Sequence, residues 1–334
     1  MKISVTMAAY NTERFVAAAV ESILAQTYRD FELIIVDDGS TDSTLSILRS
    51  YAARDSRVRV FSKPHGGISA ARNYALEKAR GEWIAVMDAD DVCLPQRLER
   101  QLAFVEANPD VAVVSAYVYN IDDQDRIIAQ YRSPLASREV VQRCIQKNVL
   151  ISFHHPAVLM RRDAVMAVGG YRSQFDAIED CDLWNRIAEL GHGLLVQPEF
   201  LVKYRIHGKS VSVARVRQLA LKRRWLHDCM LHRRRGEAEP TWEAFMAARQ
   251  RMPWTTRFSE DRRDLSWILY KQAVSAYVQK SPHRLATNLA GALLLNPKQM
   301  SHRIWHRYLQ PALTGRAASS EDEPDAPDFP HATI

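Results

Sequence analysis

Leu33-Ile34-Ile35-Val36-Asp37-Asp38-Gly39-Ser40-Thr41-Asp42 and Ile84-Ala85-Val86-Met87-Asp88-Ala89-Asp90-Asp91 share one plan: an aliphatic strand that ends in carboxylates. An unbroken aliphatic run without polar alternation predicts a strand covered on both faces, as in a parallel sheet between helix layers. Ligands of such sheets bind beyond the carboxyl ends of the strands, where both acid groups fall. The pattern extends outward from these two strands. Residues 3–7 predict a first strand, and Glu13 to Ala25 a helix capped by Asn11 or Thr12. Strand 32–36 leads to helix 43–53, strand 58–61 to helix 68–79, and strand 83–87 to a helix opening near Pro95. Repeated strand–helix units predict an α/β fold: a three-layer α/β/α sandwich with a mostly parallel central sheet.

Beyond it, residues 111–119 read as another strand, 120–132 as a polar hairpin and 137–147 as a helix. Short strands at 157–161, 193–197 and 202–206 surround a helix from about Asp182 to Leu190, which closes a catalytic domain over residues 1–212. Residues 213–314 carry only helical patterning, punctuated by Pro240, Pro253, Pro282 and Pro297, and read as a helical C-terminal appendage. The segment 315–334, rich in Glu, Asp, Pro, Ser and Ala, is expected to be disordered.

Composition narrows the functional classes. With 47% hydrophobic and 25% charged residues the chain is an ordinary globular protein. Met1 to Met7 enters a strand directly, without the apolar core and cleavage site of a secretory signal. The apolar run Leu289 to Leu295 is stopped by Asn296-Pro297, well short of a bilayer span. A cytoplasmic, non-spanning protein is expected. Cys93, Cys144, Cys181 and Cys229 lack the close spacing of zinc or redox motifs and read as reduced thiols.

The net charge of +6 comes mainly from the C-terminal third. No nucleic-acid-binding module accompanies it, and an acid-lined cleft repels phosphate unless a metal is present, so no nucleic-acid partner is expected. Lys222-Arg223-Arg224 and Arg233-Arg234-Arg235 bracket Trp225, Leu226, Met230 and Leu231. That stretch is either a peripheral contact to an anionic membrane or a solvated basic helix packed on the catalytic domain.

Asp88 and Asp90 stand two apart at a strand end, on the same side of the sheet, so they repel or share a cation. Mg²⁺ or Mn²⁺, held by few carboxylates and by diphosphate oxygens, resolves the conflict. Turn and capping chemistry is the alternative for these acids and for the run Asp37 to Asp42, with Asp42 capping the next helix. Gly66-Gly67 allows close backbone approach before a helix whose N-terminus favours anions, or is a plain turn.

Taken together, Ala9-Tyr10-Asn11, Asp37-Asp38-Gly39-Ser40, Gly66-Gly67-Ile68-Ser69-Ala70-Ala71-Arg72-Asn73, Asp88-Ala89-Asp90-Asp91 and Glu179-Asp180-Cys181-Asp182-Leu183-Trp184 resemble the family 2 glycosyltransferases. The resemblance covers roughly residues 1–212, with Ala8 standing where the family usually has proline. It implies the GT-A fold, a nucleotide-sugar donor, expected to be a UDP-sugar, a divalent cation, inversion at the anomeric carbon, and a glycan or lipid-linked acceptor in cell-surface polysaccharide assembly. Carried over, Ala9, Tyr10, Asp37 and Asp38 belong to the nucleoside side, Asp88 lies near the ribose, and Arg72 faces the nucleotide or its phosphates. Asp90 sits on the metal, with His207 as a further ligand. Asp180 is the general base, and Glu179 and Asp182 flank it at the acceptor. Trp184 is either an apolar platform beneath a sugar ring or part of the core. A sugar nucleotidyltransferase, the rival enzyme class, needs a glycine-rich phosphate loop where this chain has Met7-Ala8-Ala9-Tyr10-Asn11.

Overall fold

A computed structural model describes residues 1–206, 216–278 and 281–304. The described residues form two compact units, one built from Met1–Lys147 and Ile151–Arg205, the other from Asn148–Leu150 and the described residues from Ile206 on.

The first unit holds a nine-stranded sheet. Strands β1 (Ile3–Ala9), β2 (Phe31–Asp37), β3 (Val58–Ser62) and β4 (Trp83–Asp88) run parallel in the order β3-β2-β1-β4. Between them lie α1 (Val16–Leu24), α2 (Thr44–Ala52) and α3 (Ile68–Lys78). Every residue of β2 is buried, as its unbroken aliphatic pattern requires. Register sets the level of the strand ends. Ala9 pairs with Asp37 and Ala8 with Asp88, so the acidic ends of β2 and β4 finish within one residue of each other on either side of β1.

The other half is mixed. After β5 (Val92–Cys93) and α4 (Arg97–Ala107) come β6 (Val111–Ile121), β7 (Ile127–Tyr131), α5 (Arg138–Gln146), β8 (Leu159–Arg161), α6 (Arg162–Ala167), α7 (Glu179–Glu189) and β9 (Gly193–Arg205). β8 runs antiparallel to both β4 and β6, while β6 and β9 are parallel. The two strands expected at 193–197 and 202–206 are one: Ala116 pairs with Gln197 and Tyr117 with Phe200, so Pro198 and Glu199 bulge out and the strand continues. Proline, with no N–H for the ladder, belongs at such an irregularity. The first helix starts at Val16, later than expected, with no side-chain cap, because residues 13–15 are spent in a turn.

The second unit contains α8 (Val216–Arg234), α9 (Trp242–Arg251), α10 (Trp254–Val278), α11 (Pro282–Leu295) and α12 (Pro297–Ile304). Its arginines are largely committed internally. Arg224 pairs with Asp264 at 2.8 Å and Glu260 at 3.2 Å, and Arg233 with Glu239 at 2.9 Å. Among the described residues no helix is long and apolar enough to cross a membrane.

Candidate active site

Three loops follow the carboxyl ends of β1, β2 and β4, and hydrogen bonds lace the first two together. Asn11, held at φ 52°, accepts from the Thr41 N–H at 2.8 Å and donates its own N–H to Ser40 Oγ at 3.0 Å. Asp42 stands one residue before the Ser43 N-cap of α2 and accepts from the Thr44 N–H at 2.9 Å and from the Glu13 N–H at 3.2 Å, so it ties the turn to the β1 loop and is not the cap itself. The β1 loop is therefore shaped by the β2 loop and by no proline of its own.

Asp37 is fully buried at the end of β2. Its Oδ2 accepts from Ser62 Oγ at 3.2 Å and the Ser40 N–H at 3.4 Å, while Oδ1 has no hydrogen-bond partner. A buried acceptor left open next to a loop is a ready partner for a ligand N–H or hydroxyl. Tyr10, 45% exposed, stacks on His65 with ring centroids 4.3 Å apart and stands at the same strand ends.

The Asp38 carboxylate accepts from the Gly66 and Gly67 N–H groups at 3.0 Å each and from Lys63 Nζ, and His65 Nδ1 lies 2.9 Å away. It holds the 63–67 loop. The anion expected at the start of α3 is likewise supplied by the chain. Asp176 accepts from the Ser69 N–H and Oγ, and a Cβ on Gly67, whose φ is +91°, would sit 2.7 Å from Asp176 Oδ2. Positive φ and this contact together require glycine there.

Arg72, on α3, is the centre of the site. Its Nη2 lies 3.0 Å from Asp88 Oδ1 and its Nη1 donates to Glu179 Oε1, so one guanidinium ties the end of β4 to the first turn of α7. Each of its amino groups donates to a carboxylate. Burial works against the charge of Arg72, but Glu179 and Asp88 outweigh it and raise its pKa. Burial would raise Asp88 too, yet Arg72 and His155 hold it well below the usual carboxylate range. Glu179 goes the other way, pushed up to about 7 by burial and by the carboxylates of Asp180 and Asp176, with Arg72 opposing.

Asp180, half-buried, caps itself locally, its Oδ1 accepting from the Cys181 N–H at 2.7 Å. It lies close enough to Arg72, His155 and Tyr171 to influence the charge of each. Asp182 and Trp184, expected at the acceptor, are fully buried. Asp182 is clamped by Arg172 and Arg186, each donating from Nε at 2.9 Å, and Trp184 packs against Phe153 and His155 in the core. Neither side chain is open to a substrate.

Asp90 and Asp91 complete the turn after β4. Asp91 is buried, Oδ1 accepting from the Arg205 N–H at 2.7 Å and Oδ2 unpartnered. Burial raises its pKa well above the ordinary value, and the charges of Asp90 and Asp88 add to this. Crowded acids with an orphaned oxygen fit a divalent cation. Among the described residues no three His, Cys, Asp or Glu side chains form a metal cage. His207 lies outside the described residues.

Several residues escape a reading of pattern. His155 is buried, with Nε2 2.9 Å from the Tyr171 hydroxyl and Nδ1 3.8 Å from Asp88; burial lowers its pKa. Its neighbour His154 points the other way, between the rings of Tyr131 and Tyr204. Asn73 brackets the backbone of Tyr171 with two hydrogen bonds of 2.7 and 2.8 Å. Arg205 pins the acidic turn through the Asp90 carbonyl at 2.6 Å and reaches Asp122 and Asp125 on the β6–β7 hairpin. The only signal for these was their place beside a motif.

Comparison with known proteins bears on the family and the fold. Residues 4–169 match the family model described as Glycosyl transferase family 2. An O-antigen biosynthesis glycosyltransferase, WbnJ of Escherichia coli, is 35% identical over 214 residues, which is 63% of this chain and 82% of WbnJ. The mannosyltransferase PcManGT of Pyrobaculum calidifontis, solved with GDP-Man and Mn²⁺, superposes with a TM-score of 0.57 at 20% identity, over 89% of this chain and 86% of that one. The S. aureus TarS fragment 1–349, solved with UDP-GlcNAc, gives 0.53 at 17% identity, over 90% and 92%.

Proposed function

The chain belongs to glycosyl transferase family 2 and has the GT-A fold, and from that premise we propose an inverting, metal-dependent transfer of a sugar from a nucleotide donor to an acceptor hydroxyl. The observation that carries it is the Arg72 bridge. It joins the acid-bearing end of β4, on the donor side, to the Glu179-Asp180 turn of α7, on the acceptor side.

In this reading Ala9, Tyr10 and Asp37 receive the nucleoside. The unpartnered Asp37 Oδ1 accepts from base or ribose, and the Tyr10–His65 stack forms one wall. Asp88, kept ionised by Arg72, accepts from a ribose hydroxyl. Asp90, with His207, would hold Mn²⁺ or Mg²⁺, which when bound neutralises charge developing on the leaving diphosphate. Asp180 takes the proton of the acceptor hydroxyl as its oxygen attacks the anomeric carbon, on the face opposite the bond that breaks to the diphosphate. Arg72 and Glu179 fix the turn from which Asp180 projects.

The donor we assign is a UDP-sugar, the nucleotide class bound by TarS. The acceptor is a glycan or a lipid-linked glycan, as O-antigen assembly by the relative WbnJ suggests, met at the cytoplasmic face of the inner membrane. Residues 1–212 act as the catalytic domain and 213–314 as its helical appendage. A thermal-shift panel of UDP-, GDP-, CMP- and dTDP-sugars, with and without Mn²⁺, tests the donor side. Stabilisation by UDP-sugars that needs Mn²⁺ is expected. No shift with any donor removes the proposal, and a shift with another nucleotide alone replaces the UDP assignment.

A further inference from the structure

In the basic clusters of α8, Arg224, Arg233 and Arg235 are paired with carboxylates and Arg234 donates to Asn148, but α10 presents a different surface. Trp254 is 71% exposed, Phe258 61% and Leu265 46%, and at 3.6 residues per turn these positions fall on one face of the helix. Arg262 Nη1 donates to the Leu295 carbonyl, and Ser266 Oγ to that of Ala292 at 2.8 Å, which holds α11 alongside α10. Asp261 stands on the same face between Phe258 and Leu265, its charge met by Arg249. A monomeric protein gains nothing by holding large rings in water, so exposed rings a turn apart beside a further exposed leucine mark a contact surface.

Charge identifies the partner. The acids near the stripe are all engaged: Glu260 by Arg224 and Arg249, Asp261 by Arg249, and Asp264 by Arg224. Arg251, exposed, and Arg257, half-exposed, form no ion pair among the described residues. Arg257 neighbours Phe258 on α10, and Arg251 closes α9 three residues before Trp254. Exposed rings with uncompensated cations close by in the chain have the chemistry of a helix that lies in the interface of an anionic membrane.

We infer that the Trp254–Phe258–Leu265 face of α10 docks on an anionic lipid surface, with Arg251 and Arg257 meeting the headgroups. The inference deepens the lipid-linked acceptor reading and rests on it for its purpose, since docking brings the enzyme to a substrate confined to the membrane.

The test is vesicle co-sedimentation of the full chain without donor or acceptor, so the outcome does not depend on catalysis. Vesicles of phosphatidylcholine alone are compared with vesicles of phosphatidylcholine and phosphatidylglycerol, at low and physiological salt. Binding to the mixed vesicles is expected. It should drop about tenfold or more in W254S/F258S, and R251Q/R257Q should weaken it and flatten its salt dependence. Both variants change exposed or half-exposed side chains, and thermal unfolding at the wild-type temperature verifies their fold. Absence of binding at low salt, or undiminished binding by W254S/F258S, overturns the inference. So does a wild-type dimer that W254S/F258S converts to monomer, since a second copy then covers the face. The Mn²⁺-dependent donor shift of the same variants reports separately on the transferase reading.

Discussion

Replacing Arg72 with methionine should cost more stability than any exposed ion pair is worth. The side chain of Arg72 is 10% exposed, that of Glu179 5% and that of Asp88 27%. Removing one partner from a buried pair strands the other charge away from water, at a cost of about 3–5 kcal/mol, whereas an exposed pair contributes about 0–1 kcal/mol. Asp88 reaches some water and keeps His155 nearby, which places R72M toward the lower end of that range. Most of the penalty then belongs to Glu179, which has no such relief. A carboxyl raised in the fold binds its proton more tightly folded than unfolded, so its contribution to stability falls as pH rises from the ordinary carboxylate range through about 7. Without Arg72 that pKa rises further. R72M should therefore lose most at alkaline pH and much less under mildly acidic conditions, where Glu179 takes up a proton. In R72M/E179Q, where no Glu179 charge is stranded, about 1–3 kcal/mol should return. Urea unfolding of the four proteins of the cycle at both pH values measures each quantity. A loss below about 1 kcal/mol for R72M, an equal loss at both pH values, or strict additivity in the cycle would refute the view of Arg72 as a buried bridge.

The same geometry sets four further outcomes. Asp180→Asn should lower transfer by about 10²–10⁴-fold and leave the donor-induced thermal shift intact; near-normal turnover would remove Asp180 as the base. Asp90→Asn should abolish the Mn²⁺-dependent part of the donor shift, and isothermal titration of UDP with and without Mn²⁺ would show whether metal coupling survives. Gly67→Ala places a Cβ 2.7 Å from Asp176 Oδ2 at φ +91° and should destabilise by about 1–3 kcal/mol; an unaffected melting temperature would mean that the loop relaxes freely. Glu32 is buried and, although burial raises its pKa, hydrogen bonds from Ser4, Arg59 and the Arg80 N–H lower it overall. The stability it contributes is present above its unfolded pKa and lost as pH falls through its folded one. The gap between wild type and Glu32→Gln should accordingly narrow below about pH 4.5, and a pH-independent gap would contradict the assignment.

The amino-acid sequence by itself determined the parallel half of the sheet and the strand ends at which its acids stand. A strand buried on both faces needs an unbroken aliphatic run, and Asp37 and Asp88 close two such runs; the register with β1 then brings them to the same edge of the sheet. The ordered motifs that mark the family were also legible, because each is a short contiguous string. Partners were not. Arg72 and Glu179 lie 107 residues apart, and only the docking of α7 beside α3 puts them in contact. Nothing in the Asp37-Asp38 pair marks Asp38 as the clamp of a glycine loop; it becomes one because the 63–67 backbone folds over it. Asp182 and Trp184 sit in the same motif as Asp180, but α7 turns them inward by its 3.6-residue period and by the arginines that wait there. The same holds for the basic helices, where net charge counts residues while attraction to a surface depends on which charges remain uncompensated. Tertiary packing commits Arg224 and Arg233 to carboxylates and leaves Arg251 and Arg257 uncompensated among the described residues, close in the chain to exposed rings. Periodicity and hydrophobic pattern are properties of neighbours along the chain; the pairing of charges is settled only when distant elements meet and water is excluded between them.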